Sequence, residues 1–160
     1  MKIGTWFLKI TIGVMFLMAV AIAIIPAPQI AIAVMSDAPK SLGFVGLMLI
    51  GGLYLVILGF LAAAWQAERL LLVIDRSDAF SRRSVKLLAT IKWCVAVMAV
   101  GTLCWLPYLY VLVQQEDAPG LMFIGLCIIA VPIVMAVFLD VLQRLWAAAL
   151  DYKEETDLTI

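Results

Sequence analysis

Charged residues divide this sequence into four long uncharged intervals, 10–36, 41–67, 93–115 and 118–139. A bilayer's hydrocarbon core is about 30 Å thick, so a helical span needs about 20 apolar residues, and each interval is long enough to cross. With 66% hydrophobic and only 14% charged residues and a mean hydropathy of +1.16, the 160-residue chain is far from the balance of a soluble domain. It reads as an all-α integral membrane protein with four transmembrane helices, at about 8–27, 42–67, 88–113 and 119–143. An inner segment at 68–87 and a polar tail at 151–160 complete a single domain, 1–160. Nothing outside the spans approaches the roughly 50 residues of an independent domain, so function is expected in the bundle, at its rims or with a partner.

The basic residues are placed very unequally. Lys2, Lys9, Arg69, Arg76, Arg82, Arg83, Lys86, Lys92, Arg144 and Lys153 fall on one side of the four spans, and Lys40 alone on the other. Ten against one is a positive-inside signal, which puts both termini and the central segment in the cytoplasm. The formal net charge of zero is therefore a sum over two faces: +2 inside, from ten basic and eight acidic residues, and −2 outside, from Lys40 against Asp37, Glu116 and Asp117. A neutral chain with no polybasic tail is not expected to bind nucleic acid directly.

An ordered series of echoes suggests duplication. Asp37-Ala38-Pro39 recurs as Asp117-Ala118-Pro119, and Gly43-Phe44-Val45-Gly46-Leu47-Met48 is followed by Met122-Phe123-Ile124-Gly125-Leu126-Cys127. Leu8-Lys9 parallels Ile91-Lys92, Pro26 parallels Pro107, and Glu68-Arg69-Leu70 parallels Gln143-Arg144-Leu145. Two helical hairpins that both enter from and return to the cytoplasm make a parallel repeat about an axis along the membrane normal. The basic start, apolar run and Ala31-Ile32-Ala33 also resemble a secretory signal peptide, but a first span that forms half of a repeat is expected to be retained.

Local punctuation refines the spans. Proline lacks an amide hydrogen, so Pro26 and Pro28 end or kink the first helix near Ile25 and leave Ala27 to Met35 as an interfacial stretch or bent outer turn. Gly43, Gly46, Gly51, Gly52 and Gly59, with Ala19 and Ala23, suggest close packing of the first two spans. The inner segment is expected to prolong span two, turn between Asp75 and Phe80, and begin a new helix capped by Asp78 or Ser81. Trp105, Tyr108 and Tyr110 suit an aromatic belt at the outer interface.

Chemistry has little foothold. There is no His, no charge at mid-depth, and Cys94, Cys104 and Cys127 form no CxxC pair, so no cofactor or metal site is expected. Proton relays, voltage sensing and intramembrane hydrolysis all want ionisable groups that this chain lacks at depth, and an enzyme is not expected. One constellation stands out at the inner rim. Lys92 and Asp140 lie at nearly equal distances from the turn at Glu116-Asp117, and Arg144 is one helical turn beyond Asp140, so an antiparallel hairpin gathers Lys92, Asp140 and Arg144. Such a cluster reads either as a solvated network holding the hairpin together or as a functional site. Arg82, Arg83 and Lys86 are candidates for contact with lipid head groups or a partner, as is the tail through Asp157, Leu158, Thr159 and Ile160.

The inner turn Asp78-Ala79-Phe80-Ser81 leading into Leu87-Leu88 and Ile91-Lys92, the outer Glu116-Asp117-Ala118-Pro119-Gly120-Leu121, and the ending Lys153-Glu154-Glu155-Thr156-Asp157-Leu158-Thr159-Ile160 together resemble the bacterial membrane proteins grouped as domain of unknown function 2975. The resemblance covers essentially the whole chain, with Thr156 where the family's ending suggests Asn. It carries no activity over, but it implies a small cytosolic helix-turn-helix regulator as a partner. Two functions follow as expectations. One is a non-enzymatic regulatory or interaction protein whose cytoplasmic rim binds such a factor. The other is a protective, immunity-like or transport protein that handles a small apolar molecule or peptide within the bundle. A homo-oligomer is compatible with either.

Overall fold

The structure, a computed structural model, describes residues 2–37, 43–75 and 82–158. These form six helices and, among the described residues, no strand: α1 (Lys2–Ile24), α2 (Pro26–Asp37), α3 (Gly43–Asp75), α4 (Arg82–Leu103), α5 (Leu106–Glu116) and α6 (Pro119–Leu158). Four stretches are long and apolar enough to cross a membrane: Trp6–Ser36, Gly43–Ile74, Arg82–Glu116 and Pro119–Lys153. The protein is an all-α membrane protein in which α1 with α2, and α4 with α5, each make one interrupted span. The expected caps at Asp78 and Ser81 lie outside the described residues.

Both interruptions occur at proline. Ile25 donates its amide to the Ala21 carbonyl at 2.9 Å, and α2 then starts at Pro26. Because Pro26 and Pro28 both fall in the first turn of α2, where amides have no intrahelical acceptor, they restart a helix rather than abolish one. Ala27 to Met35 is accordingly helical, not the bent outer turn that the prolines suggested. In the second half Pro107 occupies the first turn of α5. The Trp105 amide tightens onto the Thr102 carbonyl at 3.1 Å, and Thr102 Oγ1 donates to the Ala99 carbonyl at 2.9 Å, a back-bond that favours bending. Pro132, by contrast, lies buried inside α6, where it removes one backbone bond without ending the helix.

Packing runs through the middle of the molecule. α3 packs most extensively on α4, α4 on α6 and α1 on α3, while α2 leans on α1 and α3, and α5 on α6 and α3. No extensive contact joins α1 to α6 among the described residues, so the bundle is an open row, α1–α3–α4–α6. The glycines of α3 explain the order. A Cβ at Gly52 would collide with the Gly101 carbonyl oxygen of α4 and lie 2.9 Å from Cys104 Cβ. One at Gly101 would lie 2.8 Å from the Gly52 carbonyl oxygen, and one at Gly59 would lie 2.7 Å from Met98 Cγ. The glycines expected to join spans one and two thus chiefly serve the contact between α3 and α4; only Gly46 meets the first span, at Val34 of α2. The physical reason is that lipid tails are as apolar as the helices, so close backbone approach decides association. Large apolar side chains such as Phe7, Leu17, Phe44 and Phe123 are left exposed, as lipid-facing residues are.

α3 and α6 continue beyond the spans expected for them. At 33 and 40 residues they are about 50 and about 60 Å long, against a hydrocarbon core of about 30 Å. The polar tail therefore does not leave α6 as a separate strand of chain: residues 151–158 prolong the helix, carried by Ala147-Ala148-Ala149-Leu150, which are strong helix formers.

Candidate functional site

An ion cluster joins α4 to α6 at the basic end of the molecule. Lys92 Nζ of α4 donates to Asp140 Oδ1 of α6 at 2.9 Å, and Arg144 Nη2, one turn further along α6, lies 3.0 Å from Asp140 Oδ2. Both carboxylate oxygens are engaged, so Asp140 is the hub. Antiparallel passage of the two helices puts Lys92 and Asp140 at one depth, and the i,i+4 spacing puts Arg144 on the same face as Asp140. Exposure separates their roles: the Lys92 side chain is 24% exposed and Asp140 36%, whereas Arg144 is 81% exposed and keeps most of its guanidinium open.

The cluster stands at the head of a groove. Lys92, Trp93 and Ala96 of α4 and Ala136, Val137 and Asp140 of α6 line an open groove of about 350 Å³. Ala96 lies one turn beyond Lys92 and Ala136 one turn before Asp140, and their small side chains leave the space that larger residues would fill. The result is an apolar floor with a charged rim. Sequence reasoning found the rim and missed the floor, although an alanine one turn on the apolar side of each charge was visible.

Other polar groups collect at this end. Arg69 lies over the Trp65 ring, 5.6 Å from its centroid, a cation–π contact at i,i+4 spacing on α3. Gln66 Oε1 and Gln143 Oε1 are buried, and among the described residues no donor reaches either of them. Buried acceptors of this kind are normally satisfied, so both sites have unused capacity for a donor. Arg82, Arg83 and Lys86 stay exposed in the first turns of α4, more than a turn before Lys92. Asp157 and Leu158 belong to the helical backbone of α6, while their side chains, and Thr159 and Ile160 altogether, lie outside what the structure describes.

A second cavity, of about 360 Å³, lies between α1, α3 and α4. Its lining, which includes Met15, Met18, Ile22, Phe60, Met98 and Trp105, is wholly apolar apart from the indole of Trp105. The Trp105 Nε1 hydrogen is buried with no acceptor among the described residues. The indole edge packs beside Gly52, where a Cβ would lie 3.0 Å from Trp105 Cδ1.

Comparison with known proteins agrees with the membrane architecture. The family model described as Protein of unknown function (DUF2975) matches residues 13–160. The chain is 35% identical over 159 residues to the Uncharacterized membrane protein YoaS of Bacillus subtilis (strain 168), an alignment covering 99% of each chain. No solved structure matches.

Proposed function

The chain belongs to the DUF2975 family, and from that premise we propose that it is a non-catalytic regulatory or interaction protein of the bacterial inner membrane whose basic rim binds a cytosolic factor. The observation that carries this reading is the length of α3 and α6, which at 33 and 40 residues exceed the roughly 20 that a bilayer needs and carry Glu68, Arg69, Asp151, Tyr152, Lys153 and Glu155 toward their C-terminal ends on continuous helix. The ten-to-one distribution of basic residues supports a cytoplasmic rim and cytoplasmic termini. Breaks at Pro26 and Pro107 in the first arm of each half support a parallel repeat of two hairpins.

A small helix-turn-helix regulator is the first partner to test. Crosslinking and pull-down from native membranes should capture the factor with the full chain and lose it when 153–160 are deleted. Unchanged capture would remove the tail from the reading, and reporter fusions at either terminus that respond outside the cytoplasm would overturn the orientation.

The cavity between α1, α3 and α4 favours a second reading, protection against or movement of a small apolar molecule. Filling it with Ala19→Phe should then abolish uptake of a hydrophobic dye by the purified protein. Dye uptake that survives the filling would count against this role.

A further inference from the structure

The groove between α4 and α6 has the form of a site for an anionic phospholipid. At its head Lys92 and Asp140 line the groove and Arg144, one turn beyond it, is bonded to Asp140, so the head gathers two cations against one carboxylate and a net positive charge. Lys92 is the last charge before the uncharged interval 93–115, and Asp140 the first after 118–139, so the head lies where the polar and apolar parts of a bilayer meet. The floor, Ala96, Ala136 and Val137, runs from there toward the hydrocarbon, and the whole open groove from Lys92 to Val137 measures about 350 Å³, within the range of about 300–1,000 Å³ common for ligand sites.

We propose that this groove holds one acyl chain of an anionic phospholipid along Ala96, Ala136 and Val137 while Arg144 and Lys92 bind its phosphate. Asp140 occupies both cations on their inner side and so fixes their positions. Arg144, 81% exposed, has donors left over for a phosphate oxygen, and a guanidinium presents them in a planar fork suited to that group. Charge complementarity selects the occupant: a zwitterionic head group brings a choline or ethanolamine cation toward two cations already there, and a free phosphate leaves the floor unfilled. The proposal is independent of the cytosolic partner and of which face of the membrane the rim occupies, because it needs only the head of the groove at a lipid surface.

The test uses the full chain in dodecyl maltoside micelles, titrated with phosphatidylglycerol, with phosphatidylcholine of the same acyl chains, and with inorganic phosphate. Bound lipid is counted by native mass spectrometry, and melting temperature is followed for all three additions. Phosphatidylglycerol should bind and raise the melting temperature while the other two do not. A basic side chain near an anionic lipid surface is worth about a fivefold change in affinity, so Arg144→Gln should weaken phosphatidylglycerol about fivefold and Lys92→Gln with Arg144→Gln about 25-fold. Ala136→Leu, which fills the floor and leaves the ion cluster in place, should abolish the bound lipid. Equal binding of the two lipids, an equal shift by phosphate, or undiminished binding in Ala136→Leu would overturn the proposal. Should the leucine variant fail to fold, Arg144→Gln decides the head-group half alone, since its exposed side chain can be lost without disturbing packing. If Arg144→Gln binds phosphatidylglycerol as tightly as the unsubstituted chain, the site is not this groove.

Discussion

The two faces of α4 are built on opposite principles. Toward α3 the helices meet backbone to backbone: Gly52 and Gly101 face one another so closely that neither position has room for a methyl group. Toward α6 the packing is also extensive, but at the rim the helices are joined by the Lys92–Asp140 bond, with Arg144 holding Asp140 from its own helix, and a groove is left over Ala96 and Ala136. In a membrane no hydrophobic force between helices distinguishes these contacts, so the first rests on close backbone approach and the second adds a charged bond at the rim to its packing. Where glycine meets glycine there is no space for a ligand, and the apolar cavity opens only where α1 joins α3 and α4; at the other face, long side chains at the rim leave a groove behind them. The charged candidate site therefore falls on the face toward α6.

Substitutions should break the two contacts unequally. Gly101→Leu is expected to have the largest effect, a loss of about 3 kcal/mol in reversible unfolding, because a branched side chain must force α3 and α4 apart. Gly101→Ala should cost about 1–3 kcal/mol. Gly51→Ala, one residue from Gly52 but with nothing within 4 Å of its added methyl, should instead gain up to about 1 kcal/mol in helix propensity. Equal effects at 51 and 101 would refute the close contact. On the other face, Ala96→Leu should stay within about 1 kcal/mol, since it occupies open space.

The ion cluster sharpens the contrast through coupling rather than size. Lys92→Ala and Asp140→Ala should each destabilise less than Gly101→Ala, and the double variant should lose less than the two combined, because the first deletion already breaks the bond that the second would break. Independent losses in that double-mutant cycle would remove the Lys92–Asp140 bond from the account of the interface. The smallest effect belongs to the turn between α5 and α6. Asp117 has φ 48°, in the left-handed region, and Asp117→Gly should gain roughly 0.5–1 kcal/mol without altering either face of α4. That gain should add to the effect of any α4 variant, and a failure of additivity would show that the turn sets the helix contacts.

Much of this could be read from residues alone, for reasons that are local. Uncharged runs longer than a bilayer needs must become spans, and the break near Ile25 was legible at Pro26 and Pro28 because a missing amide acts within one turn; the break at Pro107 was not, since Pro132 shows that a proline alone need not end a helix. Lys92, Asp140 and Arg144 were open to inference because depth in a membrane follows from distance along a helix, and Arg144 from helical spacing. What escaped was equally specific. The glycines of α3 were visible, but a glycine records that something approaches, not which helix does. The helical course of Ala27 to Met35 depended on where two prolines fell within a first turn, which their presence does not state.

Membrane residence, four spans and the separation of charge are consequences of hydropathy and length, quantities that accumulate along the chain without reference to a fold. The open order α1–α3–α4–α6, the opposed Gly52 and Gly101, the groove beneath Lys92 and the cavity beside Trp105 are consequences of which surfaces meet. Each of those depends on atoms dozens of residues apart being brought within a few ångströms. In a bilayer, where every apolar face is equally at home against lipid, that choice rests on shape and charge in three dimensions.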